Sequence, residues 1–183
     1  VASMIELQKR RQDNPAAAAA LEDAANRVFS FSRAYAQLAV ESAERKEGAI
    51  DMASYLEDVI DHLVHASFDD NVKVERRIAP IPLPRDQAVA IGLFLNEALT
   101  NAAKYAFGDG RDGELTIVLE GSASDWRLDV RDNGAGSAAP SEADGGLGRS
   151  LMRTFASQAG AEQDIEVNDQ GCRVTLARQP SAA

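Results

Sequence analysis

Cysteine is almost missing from this sequence. Cys172 stands alone among 183 residues, which excludes an internal disulfide and any metal centre built on several thiolates. Its position reads as a small residue in a terminal strand. Cations are also short: 19 Lys and Arg face 29 Asp and Glu, a formal net charge of −10. A sequence-independent grip on DNA or RNA needs clustered Lys and Arg that displace counterions, and adhesion to an anionic membrane surface needs the same. No nucleic acid and no membrane contact are therefore expected. No apolar run approaches a membrane span, and no signal-peptide pattern opens the chain. These absences read as a soluble, cytoplasmic chain. It begins in mid-pattern at Val1 without an initiator methionine, so the expectation is a fragment, with room upstream for a membrane-tethering segment.

What is present suits one domain with a smaller appendage: 45% hydrophobic residues can build a core at this length. The first half reads as helices. A short amphipathic helix covers 1–11, and the break at Asp13, Asn14 and Pro15 offers an N-cap and a proline at a first helical position. The next helix, 15–45, carries Leu21, Ala24, Val28, Phe31, Tyr35 and Leu38 at alternating spacings of three and four, a heptad seam. A seam on so long a helix needs a second helix over it, from upstream residues, from a second subunit, or from both as a dimeric four-helix bundle. An ordinary packed helix in a monomer is the plainer alternative.

Gly48 breaks the pattern, and Asp51 can cap a helix over 52–67 with Leu56, Val59, Ile60 and Leu63 inward. The period then changes to two over 72–79, a half-buried strand, and Pro80, Pro82 and Pro84 mark a stiff connection. A strongly apolar helix follows over 86–107. Two strands, 115–120 and 126–131, form a hairpin; a Gly, Ala and Ser-rich loop fills 133–146; a helix covers 147–159; and a closing hairpin joins 164–168 to 172–177. The second half therefore reads as α+β: an α/β sandwich with a mixed sheet and helices on one face, preceded by a helical arm. The division falls between 1–47 and 48–183.

Three clusters carry chemistry. Within the apolar helix, Asn96, Asn101, Lys104 and Tyr105 are polar groups in a segment fit for burial, and Asn96 to Lys104 spans two turns. Amide oxygen can coordinate a hard cation, and an ammonium can meet phosphate; a helix with one wet face is the bland reading. At the end of a strand, Asp132 is followed by Asn133, Gly134 and Gly136. A carboxylate beside glycines that permit close backbone approach suits a base amino group, although Asp-Asn-Gly also spells an ordinary turn. Finally, Gly145, Gly146, Leu147 and Gly148 run straight into a helix, whose N-terminal N–H groups favour phosphate.

In this order and at these spacings, the clusters resemble the GHKL (Bergerat-fold) ATPases, and within them the sensor histidine kinases. NEALTNAAKYAF is similar to their N box, DVRDNGAG to the G1 box and GGLGRSLM to the G2 box. The resemblance is strongest to the HWE-like group and covers about 70–178. In the arm, VASMIELQKRR and ALEDAANRV resemble the tail of the first dimerisation helix and the start of the second. The resemblance implies a Bergerat fold that binds ATP with Mg²⁺. Asn101 would be the principal Mg²⁺ ligand, Asn96 would border the phosphates, and Glu97 would be the acid beside them, a candidate polarising base. Lys104 would contact phosphate and Tyr105 would line the pocket. Asp132 would accept from the adenine amino group, with Gly134 and Gly136 shaping that end. Gly146, Leu147 and Gly148 would cradle phosphate, and 137–146 would be the lid. Catalytic roles thus fall to Asn96, Glu97 and Asn101.

The sequence departs from the strict HWE pattern. Thr100 stands where that group carries a histidine, Trp126 does not open a WxE motif, and no F box is recognisable; the chain reads as a relative of the group, not a member. The family's phosphoacceptor histidine would lie upstream of Val1. His62 and His65, three residues apart on the connecting helix, could hold a metal or stand in as acceptors, but read best as solvated helix residues. The resemblance implies a two-component kinase core, homodimeric through its arm, that passes phosphoryl from ATP to histidine and then to a response-regulator receiver domain. An anti-sigma-type serine kinase lacks a dimerisation hairpin, which the arm argues against. A degenerate, non-catalytic binding module is the third reading; the retention of Asn101, Asp132 and the GGLG run argues against it.

Overall fold

The structure, a computed structural model, describes residues 49–107, 110–134 and 147–179. The two helices expected over 1–11 and 15–45, with their heptad seam, lie outside the described residues, as does the loop over 135–146.

The described chain opens with β1 (Ala49–Asp51), which runs into α1 (Met52–Ser67). Asp51 caps α1, its carboxylate accepting from the Ser54 N–H at 3.3 Å. The inner stripe of α1 includes the expected Leu56, Ile60 and Leu63, and extends one turn earlier to Met52 and Tyr55. β2 (Val72–Ile78) follows. The proline run is more than a connection: β3 (Pro82–Pro84) pairs antiparallel with β1, Ile50 opposite Leu83. A two-stranded ribbon tolerates these prolines because each has a side on which no ladder donor is needed.

α2 (Arg85–Asn101) is the centre of the fold. Residues 90–99 are all buried, so this helix is apolar around nearly its full circumference, as a helix enclosed on all sides must be. Gly92 belongs to that enclosure. A Cβ there would stand 2.1 Å from the Tyr55 hydroxyl and 2.8 Å from the ring, so the missing side chain lets α1 and α2 close on each other. Past Asn101 the α-helix expected to reach 107 opens into a π-helical turn (Ala102–Ala106).

β4 (Gly113–Gly121), β5 (Trp126–Asp132), α3 (Leu147–Gln158), β6 (Glu162–Asn168) and β7 (Gly171–Arg178) complete the order. The sheet runs β2-β4-β5-β7-β6; β2 and β4 are parallel and all other pairs antiparallel. A parallel pair requires a crossover, and the segment through β3 and α2 supplies it. Leu115, Ile117 and Leu119 of β4, Trp126, Leu128 and Val130 of β5, and Val174 and Leu176 of β7 alternate onto one face and form the core with α1, α2 and α3. This is the mixed α+β sandwich with helices on one face that the sequence pattern predicts.

The other face is polar. On it Asp129 accepts from Arg127 Nε at 2.7 Å, Arg173 Nε at 3.0 Å and Thr175 Oγ1 at 2.7 Å. Burial alone would raise the Asp129 pKa, but these donors outweigh it and hold the carboxyl down to about 2. At the sheet's β2 edge Arg76 ties to α1 through Glu57, at 2.9 Å, and Asp61; exposed pairs of this kind contribute little.

Two outcomes follow from this packing. Gly92→Ala adds helix propensity worth about 1 kcal/mol, yet it is expected to destabilise the fold by about 1–3 kcal/mol through overpacking against Tyr55. Urea denaturation of Gly92→Ala, Tyr55→Phe and the double variant checks this: the double variant is expected to lose less than the sum of the singles. For Asp129 the folded pKa lies below the unfolded value, so its stabilisation is present above about pH 4 and is lost as pH falls towards about 2. The melting-temperature gap between wild type and Asp129→Asn is expected to be widest near neutrality and to shrink through that window.

Candidate functional site

β5 ends at Asp132, and strand alternation turns its side chain to the helix-covered face along with Trp126, Leu128 and Val130. Only 7% of it is exposed. Its Oδ1 accepts two main-chain hydrogen bonds, from Gly134 N–H at 3.0 Å and Cys172 N–H at 3.2 Å. Burial pushes the carboxyl pKa above its ordinary value, and the two amides offset that only in part. Oδ2 takes no hydrogen bond from a described residue. A buried carboxylate so held can accept from an outside donor such as an exocyclic amino group.

The segment after Asp132 is clamped from three directions. Asn133 donates its N–H to the Glu114 carbonyl at 3.2 Å and accepts the Glu114 N–H on Oδ1 at 2.8 Å, which extends the β4–β5 pairing. Gly134 lies against the π-helical turn: a Cβ there would come within 2.4 Å of the Ala106 Cβ. From β7, Gly171 has φ +121°, and a Cβ on it would stand 2.0 Å from the Asp132 carbonyl oxygen. Only glycine satisfies both the conformation and the space at that position.

The second wall is α2 and its continuation. Asn96 and Glu97 are buried, at 6% and 2% exposure. Asn96 Oδ1 is buried with no hydrogen-bond partner among the described residues. Asn101 is half-buried and donates Nδ2–H to Met152 Sδ of α3 at 3.8 Å, a weak contact that turns the amide nitrogen towards α3. Lys104 and Tyr105 are exposed on the π-helical turn, Tyr105 by 48%. The row from Asn96 to Lys104 thus does not follow a single α-helical face, because the wider turn after Asn101 re-aims its last members. Such turns are frequent at functional sites.

α3 packs beside α2, and its described part begins at Leu147. Gly148 is half-buried there. Gly136 and Gly146 lie outside the described residues, together with the expected lid over 137–146. Beside Asp132, the Cys172 thiol is pushed up to about 11 by burial and by the Asp132 charge, against a smaller opposing effect of Arg149. It stays protonated and unreactive near neutrality.

Gly171 and the Cys172 amide are neighbours of the candidate site that lie outside the quoted motifs, while Asn133 and Met152 lie within two of them without an assigned role. Gly171 carried a signal, since a glycine closing a two-strand turn often holds a positive φ; the Cys172 amide and the Asn133 and Met152 side chains act through contacts that no motif encodes.

A buried carboxylate that can accept from an outside donor, a glycine-tight strand end and a buried amide oxygen with no hydrogen-bond partner among the described residues lie on neighbouring elements of the fold, and comparison with known proteins gives the chain a class. A family model for histidine kinases matches residues 1–67, and one for the histidine kinase-like ATPase domain matches residues 72–178. The chain belongs to the histidine kinase-like ATPase domain family, whose fold binds ATP. Blue-light-activated histidine kinase 2 of Erythrobacter litoralis is 25% identical over 184 residues, covering 96% of this chain and 51% of that protein. Sensor histidine kinase PdtaS of Mycobacterium tuberculosis is 28% identical over 165 residues, 86% of this chain and 31% of that protein. The chain thus spans about half of the first relative and less of the second. Among solved structures, the histidine kinase domain of the Erythrobacter litoralis EL346 blue-light activated kinase aligns with a TM-score of 0.75 at 21% identity, covering 97% of this chain and 93% of that one. That is a likeness of fold.

The glycine contacts give a direct check. Gly171→Ala is expected to cost roughly 1–2 kcal/mol of stability from its left-handed backbone alone, and both it and Gly134→Ala are expected to weaken ATP binding by displacing Asp132. Calorimetric titration of ATP beside thermal melts measures both. Unchanged affinity in folded Gly134→Ala protein would remove that glycine from the site.

Proposed function

We propose that this chain is the dimerisation and ATP-binding core of a two-component sensor histidine kinase, with 1–47 as part of the dimerisation and phosphotransfer region and 48–183 as the catalytic domain. The observation that carries the reading is the buried Asp132 carboxylate at the end of β5, Oδ1 held by two amides, in a chain where both histidine kinase family matches occur in order. The match over 1–67 favours this reading over an anti-sigma-type serine kinase, which lacks a dimerisation hairpin.

In this reading Asp132 accepts from the adenine amino group, with Gly134 and Gly136 shaping that end. Tyr105 lines the pocket and Lys104 meets phosphate. Asn96 borders the phosphates and Glu97 stands beside them. Gly146, Leu147 and Gly148 present main-chain N–H groups to phosphate at the start of α3. Asn101, through its amide oxygen, would hold Mg²⁺; the buried Asn96 oxygen, which has no hydrogen-bond partner among the described residues, supports a wall that offers hard donors. When bound, the ion supplies charge neutralisation on the phosphates. The chain's own work is positioning and charge complementarity, the main contributions to phosphoryl transfer. The γ-phosphoryl goes to an imidazole nitrogen upstream of residue 1 and then to an aspartate of a receiver domain. The protein acts in the cytoplasm as a homodimer; among the described residues no helix is long and apolar enough to cross a membrane.

The test is phosphorylation with γ-labelled ATP and Mg²⁺, using the native protein that retains about 20 residues upstream of Val1, roughly six helical turns. The expected label is acid-labile, base-stable and dependent on the upstream histidine. Asn101→Ala is expected to abolish it. Asp132→Asn is expected to weaken ATP binding about ten- to a hundredfold, as for loss of a hydrogen bond to a charged group. Tight ATP binding without label would move the protein to a kinase acting on a separate substrate, or to a non-catalytic relative.

A further inference from the structure

The exit of the π-helical turn is gripped from the α1–β2 turn by residues outside every motif. Asn71 lies between α1 and β2. Its Nδ2 donates to the Gly110 carbonyl and to the Arg111 carbonyl, both at 2.7 Å, and its own carbonyl accepts the Gly113 N–H at 3.1 Å. Both amide hydrogens of one side chain, and its main chain, therefore serve one short segment. Three residues earlier Phe68 meets Phe107 edge-to-face, with ring centroids 6.1 Å apart. Phe107 also covers Gly113, where a Cβ would stand 2.1 Å from its ring, and its carbonyl accepts the Gly110 N–H at 3.0 Å.

Phe107 directly follows the turn that carries Lys104 and Tyr105. Those two side chains stand exposed on the π-helical turn beyond the end of the regular α2, while Ala102 and Ala106 of the same turn are buried. The grip on Phe107 and on 110–113 fixes the chain immediately after them.

We propose that Asn71 is a positioning residue for the nucleotide site: by tying 110–113 to the α1–β2 turn it holds the π-helical turn, and so places Lys104 and Tyr105 for ATP. The inference rests on the ATP-binding reading above. Asn71 makes no contact with nucleotide in this scheme; it acts through the other two residues.

The experiment is a double-mutant cycle on ATP affinity, with wild type, Asn71→Ala, Lys104→Ala/Tyr105→Ala, and the triple variant, each in the native full-length protein. Asn71→Ala is expected to raise the Kd and KM for ATP by about tenfold, the scale of one or two lost hydrogen bonds, with kcat at saturating ATP within about twofold. In the Lys104→Ala/Tyr105→Ala background, Asn71→Ala is expected to change affinity less than twofold. General destabilisation would not produce that cancellation. Equal ATP affinity in wild type and Asn71→Ala overturns the proposal, as does an undiminished effect in the Lys104→Ala/Tyr105→Ala background. Should Asn71→Ala melt below the assay temperature, Asn71→Ser, which keeps one donor, enters the same cycle. Wild-type protein that binds no ATP would overturn the functional reading itself, and is seen before any variant is compared.

Discussion

The enclosure of α2 is the constraint on which the rest depends. Ten consecutive residues, 90–99, are shielded by the sheet on one side and by α1 and α3 on the others. Leu93, Leu95 and Leu99 carry the hydrophobic contribution that holds the layers together. Asn96 and Glu97 sit in the same run, so the chemistry-bearing side chains are fixed by the same packing that makes the domain fold. Gly92 shows how tight that packing is, because one methyl group at that position meets a tyrosine.

Strand ends carry the other half of the site. Asp132 reaches its place because β5 pairs on both sides, with β4 and β7, and because three separate contacts hold the residues after it. The polar network around Asp129 lies three residues earlier on the same strand but on the opposite face. One strand thus presents a stabilised, low-pKa carboxylate to the polar face of the sheet and a carboxylate with a raised pKa to the helix-covered face. The difference comes from the donors each meets: guanidinium groups and a hydroxyl for Asp129, only two main-chain amides for Asp132.

Much of this architecture was legible in the residues. The helix over 52–67 and the strand starting at Val72 follow from clean changes of period. The starting residues of β5 and α3 do too, and the three polar or glycine-rich clusters stand out against apolar surroundings. What escaped has physical reasons. A proline-rich strand, β3, looks like a linker because proline propensity opposes strands, and only its partner β1 reveals it. The π-helical turn after Asn101 has no propensity signature, so the periodicity carried the α-helix to 107. Asn71 and the Cys172 amide act over long sequence separations through carbonyls and N–H groups, which side-chain patterns do not record.

The buried carbonyl of Asn96, which meets no hydrogen-bond partner among the described residues, has a thermodynamic consequence. A buried acceptor left without a donor costs about 1–3 kcal/mol relative to a satisfied one, and this acceptor sits in the most enclosed part of the domain. Any ligand that supplies the missing partner binds the folded chain and not the unfolded one, so occupancy and folding become linked quantities. The melting point of the domain then rises with the concentration of such a ligand.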